Sequence, residues 1–253
     1  MAVPRSSEMS SSMLKPDISH IFEKQAWFDT EKYVLEGFEL VDLSESIEEH
    51  SEVPGEQGYS DPDVLFDTKP WVTLAIKPYY ITKIVIGAHT GTHIDAPMHV
   101  KEEGSSIDKI PNEYIGPSVI IDVNDSLDEN SLNKKLLKVN QDSIIVIRGK
   151  NDYKISDEFR KQIIRAKPRI VVFGDCVNVD GVEDTIQYLS NDIPMVMGAN
   201  QSAVDTLNDG DIVFVMPLKY KGIEAAPVRL FAIKLRLAEK KETEIDFSME
   251  DEI

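Results

Sequence analysis

The feature that most constrains the fold is a series of short β-branched runs separated by turns and by segments with helical spacing. Val119–Val123, Ile144–Ile147 and Ile170–Phe173 are apolar throughout, which is typical of strands buried on both faces of a sheet. Helices are predicted at Asp128–Lys138 and Ser156–Arg165, each beginning at a capping residue. The alternation predicts a mixed α/β domain with a strand-rich, partly closed sheet and its helices in the middle of the chain.

The flanking parts of the chain favour strands. We predict strands at Phe38–Leu43, Val72–Ile76, Ile81–Ile86, Ile193–Met197, Asp211–Met216 and Val228–Leu235. A helix is predicted at Ile18–Tyr33 and a helical turn at Thr185–Leu189. The long acidic segment Ser44–Asp67 is predicted to be a loop, and loops of that length are usually functional or form subunit contacts.

A chain of 253 residues can bury a full core as one large domain. We predict a disordered N-terminus over 1–17, a single domain over 18–236 and an acidic tail over 237–253. The N-terminus lacks the apolar region of a signal peptide, and no apolar run reaches the ~18 residues of a membrane span. Cys176 is the one cysteine, so no intrachain disulfide forms. The predicted location is therefore the cytoplasm.

The charge of the chain bears on its partners. The formal net charge is -18, and an acidic surface repels both nucleic-acid phosphates and anionic membranes. An anionic substrate is not excluded, because a bound metal can reverse the local field. The expected partner is a small-molecule substrate, with neither nucleic acid nor membrane.

A cluster of histidines follows directly on the predicted strand Ile81–Ile86. His89, His93 and Asp95 offer two neutral imidazoles and a carboxylate, which suit a borderline divalent metal. Three protein ligands leave coordination positions open for water and substrate, as in catalytic sites. His99 lies four residues after Asp95, close enough to share the pocket without being a ligand. Zinc and manganese are the favoured ions.

The string Ala88–Val100 matches the pattern HxGTHxDxPxH at every fixed position. It resembles the motif of the cyclase family of metal-dependent hydrolases, which includes bacterial kynurenine formamidase and isatin hydrolase. Asp175–Asp180 resembles a DxxSxD element of that family, with Asn178 where Ser is usual, and Pro227-Val228-Arg229 resembles its closing strand. The resemblance extends over about residues 38–235.

The resemblance implies roles for the motif residues. His89, His93 and Asp95 would be metal ligands and His99 the acid/base residue, in a swivelling β/β/α domain assembled as a homodimer or homotetramer. In such assemblies the early segment commonly completes a neighbour's active site.

One departure concerns the number of metals. Members with two metals take a His and a Glu from the C-terminal half, but this chain has no histidine after His99, and Met197 stands where the Glu is expected. Gln187, Asn200 and Gln201 are the nearest polar candidates to replace these ligands. We therefore predict one divalent ion rather than two.

The predicted activity is hydrolysis of a small amide or lactone, linear or cyclic, by metal-activated water with His99 as acid/base. Two alternatives stay open: a cyclase or dehydratase that uses the metal as a Lewis acid, and a metal- or ligand-binding protein without turnover. The candidates for substrate binding are Trp71, Tyr80, Gln201 and Arg229. For the two aromatic residues the competing interpretation is sheet packing, and for Arg229 it is a surface salt bridge.

Overall fold

A computed structural model describes residues 33–48, 66–110, 114–123, 127–149, 153–178 and 181–239. The chain divides into two compact units, one formed by Gly37–Arg236 and the other by Met1–Glu36 with Leu237–Ile253. Of the second unit, only 33–36 and 237–239 are described, and they are the ends of the first and last strands. The predicted disordered N-terminus, all of the predicted helix at 18–33 except Tyr33, and nearly all of the acidic tail lie outside the described residues.

The described residues form twelve strands and four α-helices. The strands are β1 (Tyr33–Asp42), β2 (Phe66–Val72), β3 (Ile81–Ile86), β4 (His93–Asp95), β5 (Ile115–Val123), β6 (Ile144–Gly149), β7 (Tyr153–Lys154), β8 (Ile170–Gly174), β9 (Val177–Asn178), β10 (Met195–Ala199), β11 (Ile212–Pro217) and β12 (Ala225–Glu239). The helices are α1 (Glu129–Leu136), α2 (Asp157–Ala166), α3 (Gly181–Ser190) and α4 (Gln201–Val204). A 3-10 turn at Pro97–His99 follows β4.

Eight strands make one sheet in the order β1-β12-β11-β5-β6-β8-β10-β4. The four central strands β5, β6, β8 and β10 are parallel, and the pairings of β4, β11 and β12 are antiparallel. The start of β12 also pairs with β4, so this long strand joins both ends of the sheet and closes it into a barrel-like form. The predicted mixed α/β fold with a strand-rich sheet is confirmed.

Alternate residues of the parallel strands enter two different cores. Ile144 and Val146 of β6 face the inside of the closed sheet, where they pack with apolar residues from the other closing strands. Ile145 and Ile147 face outwards and pack under α1, α2 and α3. Because both faces are covered, all four side chains are fully buried, which explains the continuous β-branched run in the sequence.

Asp128, at which the first helix was predicted to open, and Ser156, the predicted cap of the second, both cap helices in the structure. Asp128 accepts a hydrogen bond from the backbone N–H of Ser131 (2.9 Å), and Ser156 accepts one from that of Phe159 (3.2 Å). Each satisfies a backbone donor that the first turn of a helix leaves without a partner. The prediction of these helices from their first residues is therefore confirmed.

The strand predicted at Val72–Ile76 is wrong. The strand is Phe66–Val72, and the following residues turn back towards β3 in a separate two-stranded sheet. Leu74 and Ile76 are exposed in this turn, at 69% and 71%, so their apolar character does not reflect burial in a sheet. The turn at Thr185–Leu189 is part of a longer helix, Gly181–Ser190.

One group of charged residues joins the first helix and the segment after it to the sheet, and another joins two helices to each other. Asp209 contacts the ammonium groups of Lys135 and Lys138 at 3.0 and 2.9 Å and accepts the backbone N–H of Ile120 at 2.9 Å. Partial burial disfavours ionisation of Asp209, but Lys138, Ile120 and Lys135 outweigh it and lower the pKa of this carboxyl. On the other side, Arg160 of α2 forms an ion pair with Asp184 of α3, and both are buried.

No helix in the described ranges has both the length and the apolar character to cross a membrane.

Candidate functional site

The short strand β4 carries two of the predicted site residues and lies between two partners. His93 pairs with Met197 of β10 and Pro227 of β12. Asp95 pairs with Met195 and Ala225 of the same two strands. Because side chains alternate along a strand, His93 and Asp95 share one face, whereas Ile94 enters the inner core on the other. Hydrogen bonding on both edges therefore fixes the spacing of the two side chains.

The turn before β4 depends on two glycines. Gly91 has φ +65°, and a Cβ there would lie 2.8 Å from Cγ1 of Ile47. Gly198 has φ +66°, and a Cβ there would lie 3.2 Å from the Gly91 carbonyl oxygen. Both conformations favour glycine. The Thr92 hydroxyl donates a hydrogen bond to the Gly198 carbonyl (2.6 Å), which fixes the turn against β10.

His99 is carried by the 3-10 turn that follows β4. Pro97 is at its first helical position, where proline favours the required backbone angle, and the N–H of His99 donates to the Ala96 carbonyl (2.9 Å). Gly104 packs against the outside of this turn. The chain thus returns His99 towards His89, and the two ring centroids are 4.7 Å apart.

The four residues of the motif converge. Nδ1 of His89 is 3.0 Å and Nε2 of His93 is 3.6 Å from the same atom, Oδ1 of Asp95. The His89 and His93 rings meet edge to face at 5.2 Å. Metal-ligating atoms of His89, Asp95 and His99 also lie within 4.8 Å of one another. Among the described residues, the group whose ligand atoms all lie this close contains His99 and not His93, although the sequence interpretation placed His99 outside the ligand set.

Burial and hydrogen bonding set the charge states of this cluster. Burial lowers the pKa of His93, so the neutral imidazole is favoured. Burial disfavours ionisation of Asp95 as well, but His93 and the contact with His89 outweigh it and lower the pKa of this carboxyl. Nδ1 of His93 is 2.8 Å from the Gly91 carbonyl oxygen, an acceptor, which requires the proton on Nδ1. The lone pair of Nε2 therefore faces Asp95.

These donors suit a divalent cation. Oδ1 of Asp95 is buried and receives no well-directed hydrogen bond from the residues that the structure describes. Two lone-pair donors that face one another across 3.6 Å are satisfied by a cation between them. Donor atoms that share one ion at about 2.0–2.2 Å lie roughly 3 to 3.5 Å apart, close to the separations found here. The residues present therefore fit the metal that the motif implies.

Two of the three polar candidates for further ligands, Asn200 and Gln201, have other partners. Asn200 caps α4 by accepting the N–H of Ala203, and its amide donates to Glu45 (2.6 Å). Gln201 accepts the N–H of Cys176 (3.3 Å) and donates to Asp205 (2.7 Å). Met197, by contrast, lies directly opposite His93 in the ladder. The position where a Glu was expected therefore does adjoin the site, and here it offers a thioether.

The remaining substrate-binding candidates are not assembled around the histidines. Arg229 is 72% exposed and pairs with Asp42, which agrees with the surface salt bridge considered as its alternative. Trp71 and Tyr80 are 67% and 57% exposed in the β2–β3 hairpin, so ordinary sheet packing does not account for them. A role for these three residues in substrate binding stays a prediction.

Sequence reasoning missed Glu224. Its Oε1 is 3.6 Å from Nε2 of His89, and its backbone carbonyl accepts the N–H of Ala96 (2.8 Å). The residue is more than one hundred positions from the motif and directly precedes β12. No local pattern marks it, because only the pairing of β12 with β4 brings it to the site.

Comparison with known proteins defines the family. The family model described as "Putative cyclase" matches residues 17–196, which is more than half of the chain. Kynurenine formamidase of Salinibacter ruber is 24% identical over 236 residues, which cover 75% of this chain and 95% of that protein. Kynurenine formamidase of Bacillus thuringiensis is 29% identical over 168 residues, which cover 59% and 78% respectively.

Solved structures share the fold. Isatin hydrolase A of Labrenzia aggregata superposes with a TM-score of 0.67 at 17% identity, covering 79% of this chain and 94% of that one. A protein described as a potential metal-dependent hydrolase with cyclase activity gives 0.58 at 20% identity, covering 78% and 98%. The chain belongs to the cyclase family of metal-dependent hydrolases. The predictions of this family and of the enzyme class are confirmed.

Proposed function

We propose that this protein hydrolyses the C–N or C–O bond of a small amide or lactone, with His89, His93 and Asp95 holding one divalent ion. The observation that carries the proposal is the convergence of the Nε2 lone pair of His93 and Nδ1 of His89 on the buried Oδ1 of Asp95. Relatives named kynurenine formamidase and isatin hydrolase support an amide as the substrate class.

The chemistry divides between the ion and His99. A divalent ion supplies a Lewis acid that polarises a carbonyl and makes water a better nucleophile at neutral pH. His99 is more exposed than the other site residues, so it faces the side from which substrate and water arrive. Its imidazole takes the proton from the attacking water and returns it to the leaving nitrogen or oxygen. His99 therefore acts first as the general base and then as the general acid.

Asp95 and His93 have a different part in this scheme. Both are buried and fixed in β4, and the Gly91 carbonyl fixes the His93 tautomer. Their rigidity keeps the ligand atoms in place without substrate, so little reorganisation is needed during turnover.

The test separates ligand roles from the acid/base role. We expect about one zinc or manganese ion per chain in the wild type and in His99→Ala, and loss of the ion in His93→Ala and Asp95→Asn. Turnover should fall by about 10²–10⁴-fold in His99→Ala, the usual contribution of a general acid/base. If His99→Ala loses the ion instead, His99 is a ligand and its proposed role is wrong.

The substrates to test are the formamide of kynurenine and isatin, after which the relatives are named. Hydrolysis gives products that together are one water heavier than the substrate, whereas a cyclase or dehydratase product contains no added water. Metal content without turnover across a broad ester and amide panel would leave a binding protein as the better description.

We also propose a homo-oligomer. The β2–β3 hairpin exposes large apolar side chains, Trp71, Leu74, Ile76, Tyr79, Tyr80 and Ile84, each at least half exposed. An isolated two-stranded hairpin is marginal in water, and such patches mark interaction sites. The expected partner is a second copy of the chain. Light scattering on the wild type and on a Trp71→Ser/Ile84→Ser variant tests this, and a monomeric wild type would contradict it.

A further inference from the structure

The carboxylate of Glu224 lies outside the histidine motif but against its first member. Its Oε1 is 3.6 Å from Nε2 of His89, and its side chain is 35% exposed, compared with 13% for His89. The backbone of Glu224 is fixed, because its carbonyl accepts the N–H of Ala96 and the next residue pairs with Asp95. The backbone therefore fixes the position of the Glu224 side chain at the rim of the site.

The ring of His89 lies between two carboxylates. Nδ1 is 3.0 Å from Oδ1 of Asp95, the atom that Nε2 of His93 also faces, whereas Nε2 points to Glu224. An imidazole that offers a lone pair through one nitrogen carries its proton on the other. In metal sites that second nitrogen almost always donates to a carboxylate, a carbonyl or water.

We propose that Glu224 is a positioning residue that accepts a hydrogen bond from Nε2–H of His89 and so leaves the lone pair of Nδ1 available to an ion shared with Asp95. This role rests on the proposed metal site. The separation of 3.6 Å is longer than a hydrogen bond. Hydrogen bonds of this kind are often long in a site without its ligands and shorten when the site is filled.

The charge of Glu224 adds to its geometric effect. A carboxylate acceptor makes the imidazole a more basic donor towards a cation, and its removal typically costs 10–100-fold in metal affinity. A Gln at this position keeps an acceptor oxygen at the same reach but carries no charge. Glu224→Gln should therefore keep the proton of His89 on Nε2, as Glu224→Ala does not. It should bind the metal ion less tightly than the wild type, because the charge is missing.

The first measurement is zinc affinity, by competition with a chromophoric chelator. We expect Glu224→Ala to bind Zn²⁺ about 10–100-fold more weakly than the wild type and Glu224→Gln to fall between them. Glu158→Ala is the matched control, because Glu158 is exposed on the outside of α2, and it should bind as the wild type does. If Glu224→Gln loses the ion as completely as Asp95→Asn, Glu224 is itself a ligand and the positioning role is overturned.

The second measurement needs no metal. Nitrogen-15 chemical shifts of the His89 ring in the metal-free protein report which nitrogen carries the proton. We expect a larger share of Nε2–H in the wild type and in Glu224→Gln than in Glu224→Ala, where the contact of Nδ1 with Asp95 leaves the proton on Nδ1. If the wild type binds no Zn²⁺ but shows this dependence, the proposed function fails while the pairing stands. If Glu224→Ala keeps both the tautomer and the affinity, the pairing is refuted and the metal site stands.

Discussion

Replacing Gly104 by Ala tests whether the turn that carries His99 is held by close backbone packing. A Cβ at Gly104 would lie 2.5 Å from both the backbone nitrogen of Met98 and the carbonyl carbon of Pro97, and 2.6 Å from the Pro97 oxygen. These are backbone atoms, which cannot rotate away as the end of a side chain can. Gly104 has no positive φ, so the contact alone determines the effect.

The size of the effect follows from these distances. An ordinary carbon contact begins near 3.4 Å, so the Pro97–His99 turn or the loop must move by about 1 Å. Overpacking of this kind costs about 1–3 kcal/mol of unfolding free energy, which is a fall in Tm of roughly 2–12 °C for a domain of this size. A displacement of His99 by about 1 Å should also reduce kcat by about 10²-fold.

The control is Gly37→Ala, because no atom lies within 4 Å of a Cβ at Gly37. Thermal unfolding of Gly104→Ala, Gly37→Ala and the wild type, followed by metal content and turnover of each, separates stability from chemistry. The Gly37 variant should unfold within about 0.5 kcal/mol of the wild type. If Gly104→Ala has the same Tm as Gly37→Ala, the backbone contact does not hold the turn and the reasoning is wrong.

Three further predictions concern residues away from the site. Asp209→Asn should lower the free energy of unfolding by about 1 kcal/mol at pH 7, because it removes a partly exposed carboxylate from two lysines. Since the fold lowers the pKa of Asp209, this stabilisation is complete above the unfolded pKa of about 3.9 and is lost as the pH falls through the folded value. Urea unfolding of both proteins from pH 7 to 3 measures it, and a difference that does not shrink as the pH falls from 5 to 3 contradicts the pairing. Arg160→Met should cost about 3–5 kcal/mol, because it removes the cation that faces the fully buried Asp184, and Asp184→Leu should cost less, because Arg160 keeps its pair with Asp157. The double variant should lose less than the sum of the two. Strict additivity in chemical denaturation would show that the two charges are not coupled. Tyr188→Phe should leave stability unchanged or raise it by up to about 1 kcal/mol, because its buried hydroxyl has no hydrogen-bond partner among the described residues. A larger loss in the same assay would reveal such a partner.

The sequence was sufficient where a pattern is local. The β-branched run at Ile144–Ile147 predicted a strand buried on both faces, because a strand covered on both sides buries consecutive residues and not only alternate ones. Asp128 and Ser156 marked the starts of two helices, because a cap depends on residues within one turn. The motif His89–His99 indicated the site for the same reason, since its residues lie within one strand and the turns on either side.

The strand prediction from the sequence was wrong where apolar residues are not buried in a core. Leu74 and Ile76 suggested a strand at Val72–Ile76, yet both are exposed in the hairpin turn. A large exposed apolar side chain can serve an interface as well as a core, and periodicity alone does not separate the two.

Only the tertiary structure brought Glu224 and Met197 to the histidines. The sequence comparison placed Met197 where the family has a Glu ligand. Its position opposite His93, however, depends on the pairing of β10 with β4. Glu224 reaches His89 because β12 closes the sheet against the other edge of β4. Pairing between strands far apart in sequence is decided by how the whole sheet buries its two cores, so no local pattern encodes it. The sequence by itself therefore determined the residues that can bind a cation, and the closure of the sheet decided which distant side chains surround them.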